Sequence, residues 1–196
     1  IEELSDPESK FEVICGEWAT EAEQRNAGLG FLQSGGYDYC LVVDPDEIYD
    51  EAQLEAMLRL VSTKRYVPAW RVHMCTYWKS QNFRIDPPER YNPVNIVKVG
   101  STCFSDKREL VDQRNEVIPS HVGIMHNLSY ARSDEDVLRK MSTFSFVHEI
   151  QPDWYERVWK EWDNDHKLEN LNPCWPEAYK RAVDQPWDAL PPVLRR

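Results

Sequence analysis

Three acidic residues follow directly after an apolar run in the segment LVVDPDEIYD, residues 41–50. Asp44 and Asp46 are two positions apart, so in an extended chain both carboxylates project to the same side. Two hard oxygen donors suit Mg²⁺ or Mn²⁺, which keep several waters and take further ligands from substrate phosphates. The same residues also fit an acidic turn or a helix cap. Spacing alone leaves both interpretations open.

A second group of chemically active side chains follows in the segment HVGIMHNLSYARS, residues 121–133. His121 and His126 both lie near the end of a predicted strand, and an imidazole can complete a metal shell that two carboxylates begin. Arg132 and Lys140 follow and carry charge that can meet a phosphate. For each of these four residues the alternative is a structural role, with a packed imidazole or a solvated cation.

Other catalytic motifs are missing from the chain. No GxSxG follows a predicted strand, so a serine-hydrolase triad is unsupported. Neither GxGxxG nor GxxxxGK[ST] occurs, so the sequence indicates neither a Rossmann dinucleotide site nor a Walker loop. A site for a phosphorylated ligand would therefore depend on local charges or on a metal ion.

Composition limits the class of protein. The 196 residues suit one domain, and a net charge of −11 argues against a nucleic-acid backbone binder. No run of 18 apolar residues occurs, so no membrane span is expected. Five Cys without a CxxC pair favour reduced, buried thiols over disulfides or zinc. The N-terminal stretch IEELSDPESK lacks a signal-peptide core, and we therefore expect a cytoplasmic protein.

The first elements alternate between strand and helix. The apolar run FEVICG, residues 11–16, is typical of a buried strand. Thr20 and Glu23 form a capping-box pattern that predicts a helix over 21–34, and YDYCLVV predicts a strand over 37–43. Asp50 can cap a second helix, whose apolar stripe consists of Leu54, Met57, Leu58 and Val61.

The later segments predict strands followed by helices. We expect one long or bent strand over 66–78, a loop over 79–93, a strand over 94–100, an irregular stretch over 101–115 and one or two strands over 116–130. Ser133 then begins a helix whose apolar residues are Val137, Leu138, Met141, Phe144 and Val147.

This order favours a layered α/β domain with a mostly parallel sheet. The core is expected within 1–130, and a Trp-rich helical C-terminal extension within 131–196, as parts of one domain spanning 1–196. Ligands of such sheets bind outside the carboxyl ends of the strands. The DPDE segment follows one of those ends, which favours a functional role for its acids.

Two segments resemble a known family. EAEQRNAGLGFLQSGGYDYCLVVDPDEIYD and the later HNLSYARSDEDVLRK are similar to GT-A-fold glycosyltransferases of the large inverting family that includes cellulose and hyaluronan synthases. The shared features are an Arg-Asn-x-Gly helix, a strand, a DxD motif with a following acid, and a late His before a helix bearing Lys. The similarity covers residues 11–148. FEVICG matches the family's second strand, so the usual N-terminal strand–helix unit that holds the base has no counterpart here.

The resemblance implies transfer of a sugar from a UDP- or GDP-type donor to an unidentified acceptor, with Mn²⁺ or Mg²⁺ at the DPD motif. Asp46 would be the direct metal ligand, and Asp44 would face the donor ribose or the metal. His126 is favoured over His121 as the further ligand. Such a metal offsets the charge that grows on the leaving diphosphate.

The resemblance also implies roles for other residues. The donor contacts would come from Arg25, Asn26, Asp44, Arg132 and Lys140. The acid that activates the acceptor is expected at Glu89 in the DPPERYNP loop, with Asp86 and Glu47 as alternatives.

Two other functions are compatible with the same residues. One is a non-catalytic carbohydrate- or protein-binding relative of the same fold, and the other is a metal-dependent nucleotidyltransferase that uses the same carboxylates. Tyr77 and Trp78 are the first candidates to contact an acceptor, because they end a strand near the predicted site. Trp154, Trp159, Trp162 and Trp175 are expected to serve packing.

Overall fold

Residues 10–112, 114–143 and 145–195 are described by the structure, which is a computed structural model. The N-terminal residues 1–9 lie outside the described residues. So does Phe144, one of the apolar residues expected on the helix after Ser133.

Three helices begin where local capping residues predict them. Helix α1 (Glu21–Ser34) follows Thr20, whose hydroxyl accepts from the Glu23 amide at 3.1 Å. Helix α2 (Glu51–Thr63) follows Asp50, whose carboxylate accepts from the Gln53 amide at 3.1 Å. Ser133 bonds the Asp136 amide in the same way at the start of α3 (Asp134–Thr143). Because each cap satisfies an otherwise unpaired amide, these helix starts depend on nearby sequence alone.

Helix α2 packs through a narrower stripe than its sequence predicts. Met57 and Val61 are buried in the core, and Leu54 packs against it. Leu58 is exposed, so its predicted place on the buried face is wrong. A fourth α-helix, α4 (Glu161–Asn164), follows a π-helix at Tyr155–Lys160.

The described residues also contain eleven strands. In chain order they are β1 (Tyr39–Leu41), β2 (Glu47–Tyr49), β3 (Ala69–Arg71), β4 (His73–Trp78), β5 (Ser80–Asp86), β6 (Val94–Lys98), β7 (Phe104–Asp106), β8 (Glu109–Leu110), β9 (Glu116–Val117), β10 (Ile124–Tyr130) and β11 (Arg181–Asp184).

The strands form two larger sheets and one hairpin. One sheet has the order β1-β6-β3-β9, the other has the order β11-β5-β4-β10-β2, and β7 pairs with β8. Of the eight pairings, only β3 with β9 and β4 with β10 are parallel. The fold is therefore mixed α/β, and the predicted mostly parallel sheet is wrong. A single residue separates β4 from β5, and such short connections force antiparallel pairing.

Several other predicted elements differ from the structure. FEVICG forms no strand, and its Phe11 is 63% exposed. The segment 66–78 divides into β3 and β4, which belong to different sheets. The predicted loop 79–93 contains β5, the irregular stretch 101–115 contains the β7–β8 hairpin, and the helical extension contributes β11 to the five-stranded sheet. These differences all concern strands, because a strand forms only where a distant segment offers hydrogen bonds.

The core crosses the predicted boundary at residue 130. Trp78 and Tyr130 from the sheet pack with three tryptophans of the C-terminal part, namely Trp154, Trp159 and Trp162. Trp78 lies at 5.0 Å from Trp159, measured between ring centroids. The predicted packing role of these three tryptophans is confirmed. Within the described residues, none of the helices combines the length and apolar character that crossing a bilayer requires.

Candidate functional site

The DPDE segment forms a turn where the chain passes from one sheet to the other. The Glu47 amide donates to the Asp44 carbonyl at 2.9 Å, and the Asp44 amide donates to the Glu47 carboxylate at 3.0 Å. Glu47 thus closes the turn with its own side chain and then begins β2. Asp44 and Asp46 remain partly exposed on the same turn. The turn interpretation and the functional interpretation are therefore compatible, since the turn itself presents two carboxylates.

Arg108 is the central cation of this site, and sequence reasoning missed it. It lies between β7 and β8, is only 4% exposed, and places Nη2 at 2.7 Å from Glu47 Oε2 and 3.0 Å from Asp44 Oδ2. Burial raises the pKa of Glu47, although Arg108 opposes that shift. An arginine within a polar stretch gives no sequence signal, because its partners lie about sixty positions away.

The Arg-Asn pair of α1 holds the hairpin that carries Arg108. The Asn26 side chain donates to the Phe104 carbonyl at 2.9 Å and accepts from the Phe104 amide at 2.8 Å. Arg25 Nε donates to the Lys107 carbonyl at 3.1 Å, and its Nη2 lies 3.4 Å from Asp44 Oδ1. The Asn26 amide is thus used within the protein, whereas Arg25 also reaches the acidic turn.

The predicted cations of the later segment meet the same turn. Arg132 Nη2 lies 2.9 Å from Asp46 Oδ2, and Arg132 Nε donates to the Ser129 carbonyl at 3.0 Å. Lys140 on α3 donates to the Ser129 hydroxyl. Burial lowers the pKa of Lys140, while the charges of Asp46 and Asp44 act in the opposite sense. Four residues singled out in two distant segments therefore come together here.

The charges of the site nearly balance. Four cations, Arg25, Arg108, Arg132 and Lys140, surround the three acids of the turn. Arg25 also approaches Glu21 at 3.5 Å, which makes the enlarged cluster neutral. A net charge of −11 disfavours the approach of anions in general, so a cluster whose charges balance repels an anionic ligand less than an acidic surface does.

His126 does not join Asp44 and Asp46 in this structure. It lies buried in β10, with Nδ1 2.8 Å from the Tyr77 hydroxyl. Burial lowers the pKa of His126 to about 4, which keeps the ring neutral. The alternative, His121, is exposed in the turn before β10. Within the described ranges, no group of three or more His, Cys, Asp or Glu side chains is arranged to hold a metal ion.

The donor chemistry of the turn still fits a hard divalent cation. Asp44 and Asp46 supply two carboxylates, and such ions commonly complete their shell with substrate phosphates and water. Both carboxylates are engaged by arginines, so a cation would have to share them with Arg108 and Arg132 or displace those side chains.

The three candidate bases differ in their partners. Asp86 accepts from Arg181 at 2.8 and 3.1 Å and lies 3.6 Å from Arg84, and Glu47 is held by Arg108. The partners of Glu89 are two hydroxyls, those of Thr76 and Tyr179. Burial raises the pKa of Glu89 to about 7. Glu89 is thus the candidate whose carboxylate can hold or release a proton near neutral pH.

Tyr130 is a buried residue whose hydroxyl responds to charges from two parts of the candidate site. It is buried at the end of β10, and burial raises the pKa of its hydroxyl strongly. The charges of Glu89 and Asp46 both act on this hydroxyl, as does that of Arg132. The charge of the candidate base and that of the DPD turn therefore act on the same hydroxyl.

The burial of the aromatic residues differs from the expectation. Tyr77 and Trp78 are fully buried, so their expected contact with an acceptor is wrong for this structure. Trp175, which was expected to serve packing, is 47% exposed. Position along the sequence did not separate these cases, because burial depends on how the sheet and the C-terminal part meet.

Comparisons of the chain with protein-family models, with curated proteins and with solved structures find no match.

Proposed function

We propose that this protein is a glycosyltransferase that takes a sugar from a UDP- or GDP-type donor, with the donor diphosphate beside the Asp44–Glu47 turn. The observation that supports this most is the meeting of Asp46 with Arg132 and Lys140. The sequence predicts Arg132 and Lys140 as donor contacts and Asp46 as a metal ligand. Their convergence supports the proposal.

In this proposal the diphosphate is bound by the cations that now face the acids. Arg132 and Lys140 contact phosphate oxygens, and Arg25 contributes from α1. Asp44 and Asp46 hold Mn²⁺ or Mg²⁺, which when bound offsets negative charge on the leaving diphosphate. Arginine suits this role because its planar guanidinium can bind two oxygens at once.

Glu89 acts as the general base. Its carboxylate takes the proton of an acceptor hydroxyl, and the oxygen forms a bond to the anomeric carbon of the donor sugar. The bond from that carbon to the diphosphate breaks, and the diphosphate leaves with the electron pair. A base with a pKa of about 7 is well matched to neutral conditions, because about half of it is ionised there and it is basic enough to accept the proton.

Other residues position these groups. Glu47 closes the turn that presents Asp44 and Asp46, and Arg108 fixes Glu47 from the hairpin. Asn26 holds that hairpin on α1. The Arg-Asn motif is thus explained in part by its structural role, and Asn26 acts on the donor only through the hairpin.

One observation favours a second candidate, a non-catalytic binding relative. Asp44 and Asp46 are each paired with an arginine, an arrangement in which the turn is stable without a metal ion. A nucleotidyltransferase would use the same carboxylates but would take nucleoside triphosphates and release pyrophosphate.

A donor-turnover assay separates these candidates. The protein is incubated with UDP- and GDP-sugars and Mn²⁺, and release of UDP or GDP is measured with mixed saccharides as acceptors. Release that falls about 10²- to 10⁴-fold in Glu89→Gln supports the proposal. The control Glu169→Gln changes an exposed acid and should keep full activity. Pyrophosphate release from triphosphates would support a nucleotidyltransferase, and saccharide binding without turnover would support a binding module.

A further inference from the structure

Trp175 differs in exposure from three other tryptophans of the C-terminal part. Trp154, Trp159 and Trp162 of the same C-terminal part are at most 2% exposed, whereas Trp175 is 47% exposed. A large apolar ring left in water gains free energy when another molecule covers it. Single exposed aromatics are common on protein surfaces, so the argument depends on what holds this ring and what lies beside it.

The backbone that carries Trp175 is held by partly buried hydrogen bonds. The Asn172 side chain accepts from the amides of Cys174 and Trp175, at 3.0 and 2.9 Å. Gln151 Nε2 in turn donates to the carbonyls of Asn172 and Pro173. A ring on a fixed turn loses little freedom when it binds a ligand, which favours binding.

The ring is also held from the side. The Phe146 and Trp175 rings meet edge-to-face, with centroids 4.9 Å apart and planes inclined by 75°. Lys107 Nζ lies over the Phe146 ring, 3.0 Å from its centroid. Lys107 directly precedes Arg108, whose guanidinium contacts Asp44. Two contacts therefore connect the exposed indole with the hairpin that bounds the acidic turn.

The contacts of Phe146 thus place the Trp175 ring on the side of the candidate site that the β7–β8 hairpin forms. The hairpin meets the acidic turn through Arg108, which contacts both Asp44 and Glu47.

We propose that Trp175 is a stacking platform for a pyranose ring of the acceptor saccharide. The apolar C–H face of such a ring matches an exposed indole, and its hydroxyls match the polar groups nearby. This inference rests on the glycosyltransferase function proposed above, which requires an acceptor, and it adds the chemical class of that acceptor. Saccharides whose ring substituents are equatorial fit best, because both of their faces are apolar.

Saccharide binding can be read directly at this residue. The protein is labelled with 5-fluorotryptophan, the Trp175 resonance is assigned from Trp175→Phe, and cellobiose, chitobiose and lactose are titrated. The inference predicts that at least one of them moves the Trp175 resonance and leaves that of Trp187, another exposed tryptophan, unchanged. Trp175→Ala should weaken that saccharide about tenfold or more, a change of about 1.4 kcal/mol, and Trp187→Ala should not.

A separate readout keeps the two proposals apart. The rise in melting temperature with UDP or GDP and Mn²⁺ reports the donor site, and Trp175→Ala should keep it, which also shows that the variant is folded. The inference is overturned if no saccharide moves the Trp175 resonance, or if Trp175→Ala binds the saccharide as tightly as the parent. If the saccharide binds at Trp175 and neither diphosphate binds, the proposed donor site is contradicted and the proposed stacking role of Trp175 is supported.

Discussion

Arg132 donates to the carboxylate of Asp46 at 2.9 Å, across 86 positions of the sequence. Both residues were candidates for the same diphosphate site for independent reasons, one as a metal ligand and the other as a phosphate contact. In the structure each neutralises the other. This pairing makes the candidate site a set of matched charges that a ligand must rearrange, and Arg108 is the most buried cation among them.

Replacement of Arg108 should destabilise the protein strongly. Arg108→Met leaves the Glu47 carboxylate buried without its cation, and loss of one partner of a buried pair costs about 3–5 kcal/mol. The free energy of unfolding in urea measures this loss. Glu47→Gln combined with Arg108→Met should be less unstable than Arg108→Met alone, because no unpaired charge remains.

Arg114 provides the matched control for Arg108. It pairs with Asp112 at 2.9 Å but is largely exposed, so Arg114→Met should change the free energy of unfolding by less than about 0.5 kcal/mol. Equal losses in Arg108→Met and Arg114→Met would contradict the central role assigned to Arg108.

Removal of the Asn26 side chain should loosen the hairpin. Asn26→Ala leaves the Phe104 amide and carbonyl without their partner, at a cost of about 1–3 kcal/mol. It should also weaken UDP or GDP binding, because Arg108 loses its support. Urea unfolding and calorimetry measure the two effects. Gln24→Ala changes an exposed residue of the same helix and should leave both values within error.

Activity should depend on the ionisation of Glu89. Because a general base must be deprotonated, kcat/KM should rise with pH up to a limb near the Glu89 pKa of about 7. Tyr179 stabilises the carboxylate through its hydroxyl and thereby lowers this pKa. Tyr179→Phe should move the limb upward by about one unit, since a hydrogen bond to a charged group is worth roughly 1.5 kcal/mol. A limb that stays in place would exclude Glu89 as its source.

Glu89 should also affect how stability changes with pH. Its pKa is raised on folding by burial, so the unfolded chain loses the proton first as pH increases. The stabilisation is complete below the unfolded pKa and is lost as pH rises through about 7. The difference in unfolding free energy between Glu89→Gln and the parent should therefore shift in favour of the variant, by a few kcal/mol, between about pH 5 and pH 8. A constant difference would show that burial does not perturb Glu89.

The sequence predicted the helices well and the sheets poorly. Thr20, Asp50 and Ser133 cap their helices within three residues, so local sequence contains all the information those helix starts require. FEVICG has the composition of a strand but finds no partner, and the polar stretch with Arg108 becomes a hairpin because Asn26 bonds it. Strand pairing depends on distant segments, which local patterns do not encode.

The candidate site was also predicted only in part from the sequence. Asp44 and Asp46 were predicted from their spacing at the end of a strand, and Arg132 and Lys140 from charges that suit a phosphate; the structure brings these residues near one another. Arg108 was not predicted, since only the folded structure shows that it is buried against Glu47, and the exposure of Trp175 was not predicted either. The engagement of His126 with Tyr77 was likewise invisible before the register of β10 was known.

The most direct test of the account is calorimetric titration of UDP and GDP in the presence of Mn²⁺. The account predicts that at least one of them binds the parent protein, and that affinity falls about tenfold or more when Arg132→Ala and Lys140→Ala are combined. Arg139→Ala, which removes an exposed cation from the same helix as Lys140, should bind as the parent does. Absence of binding to the parent, or an equal loss in Arg139→Ala, would contradict a diphosphate site at the Asp44–Glu47 turn.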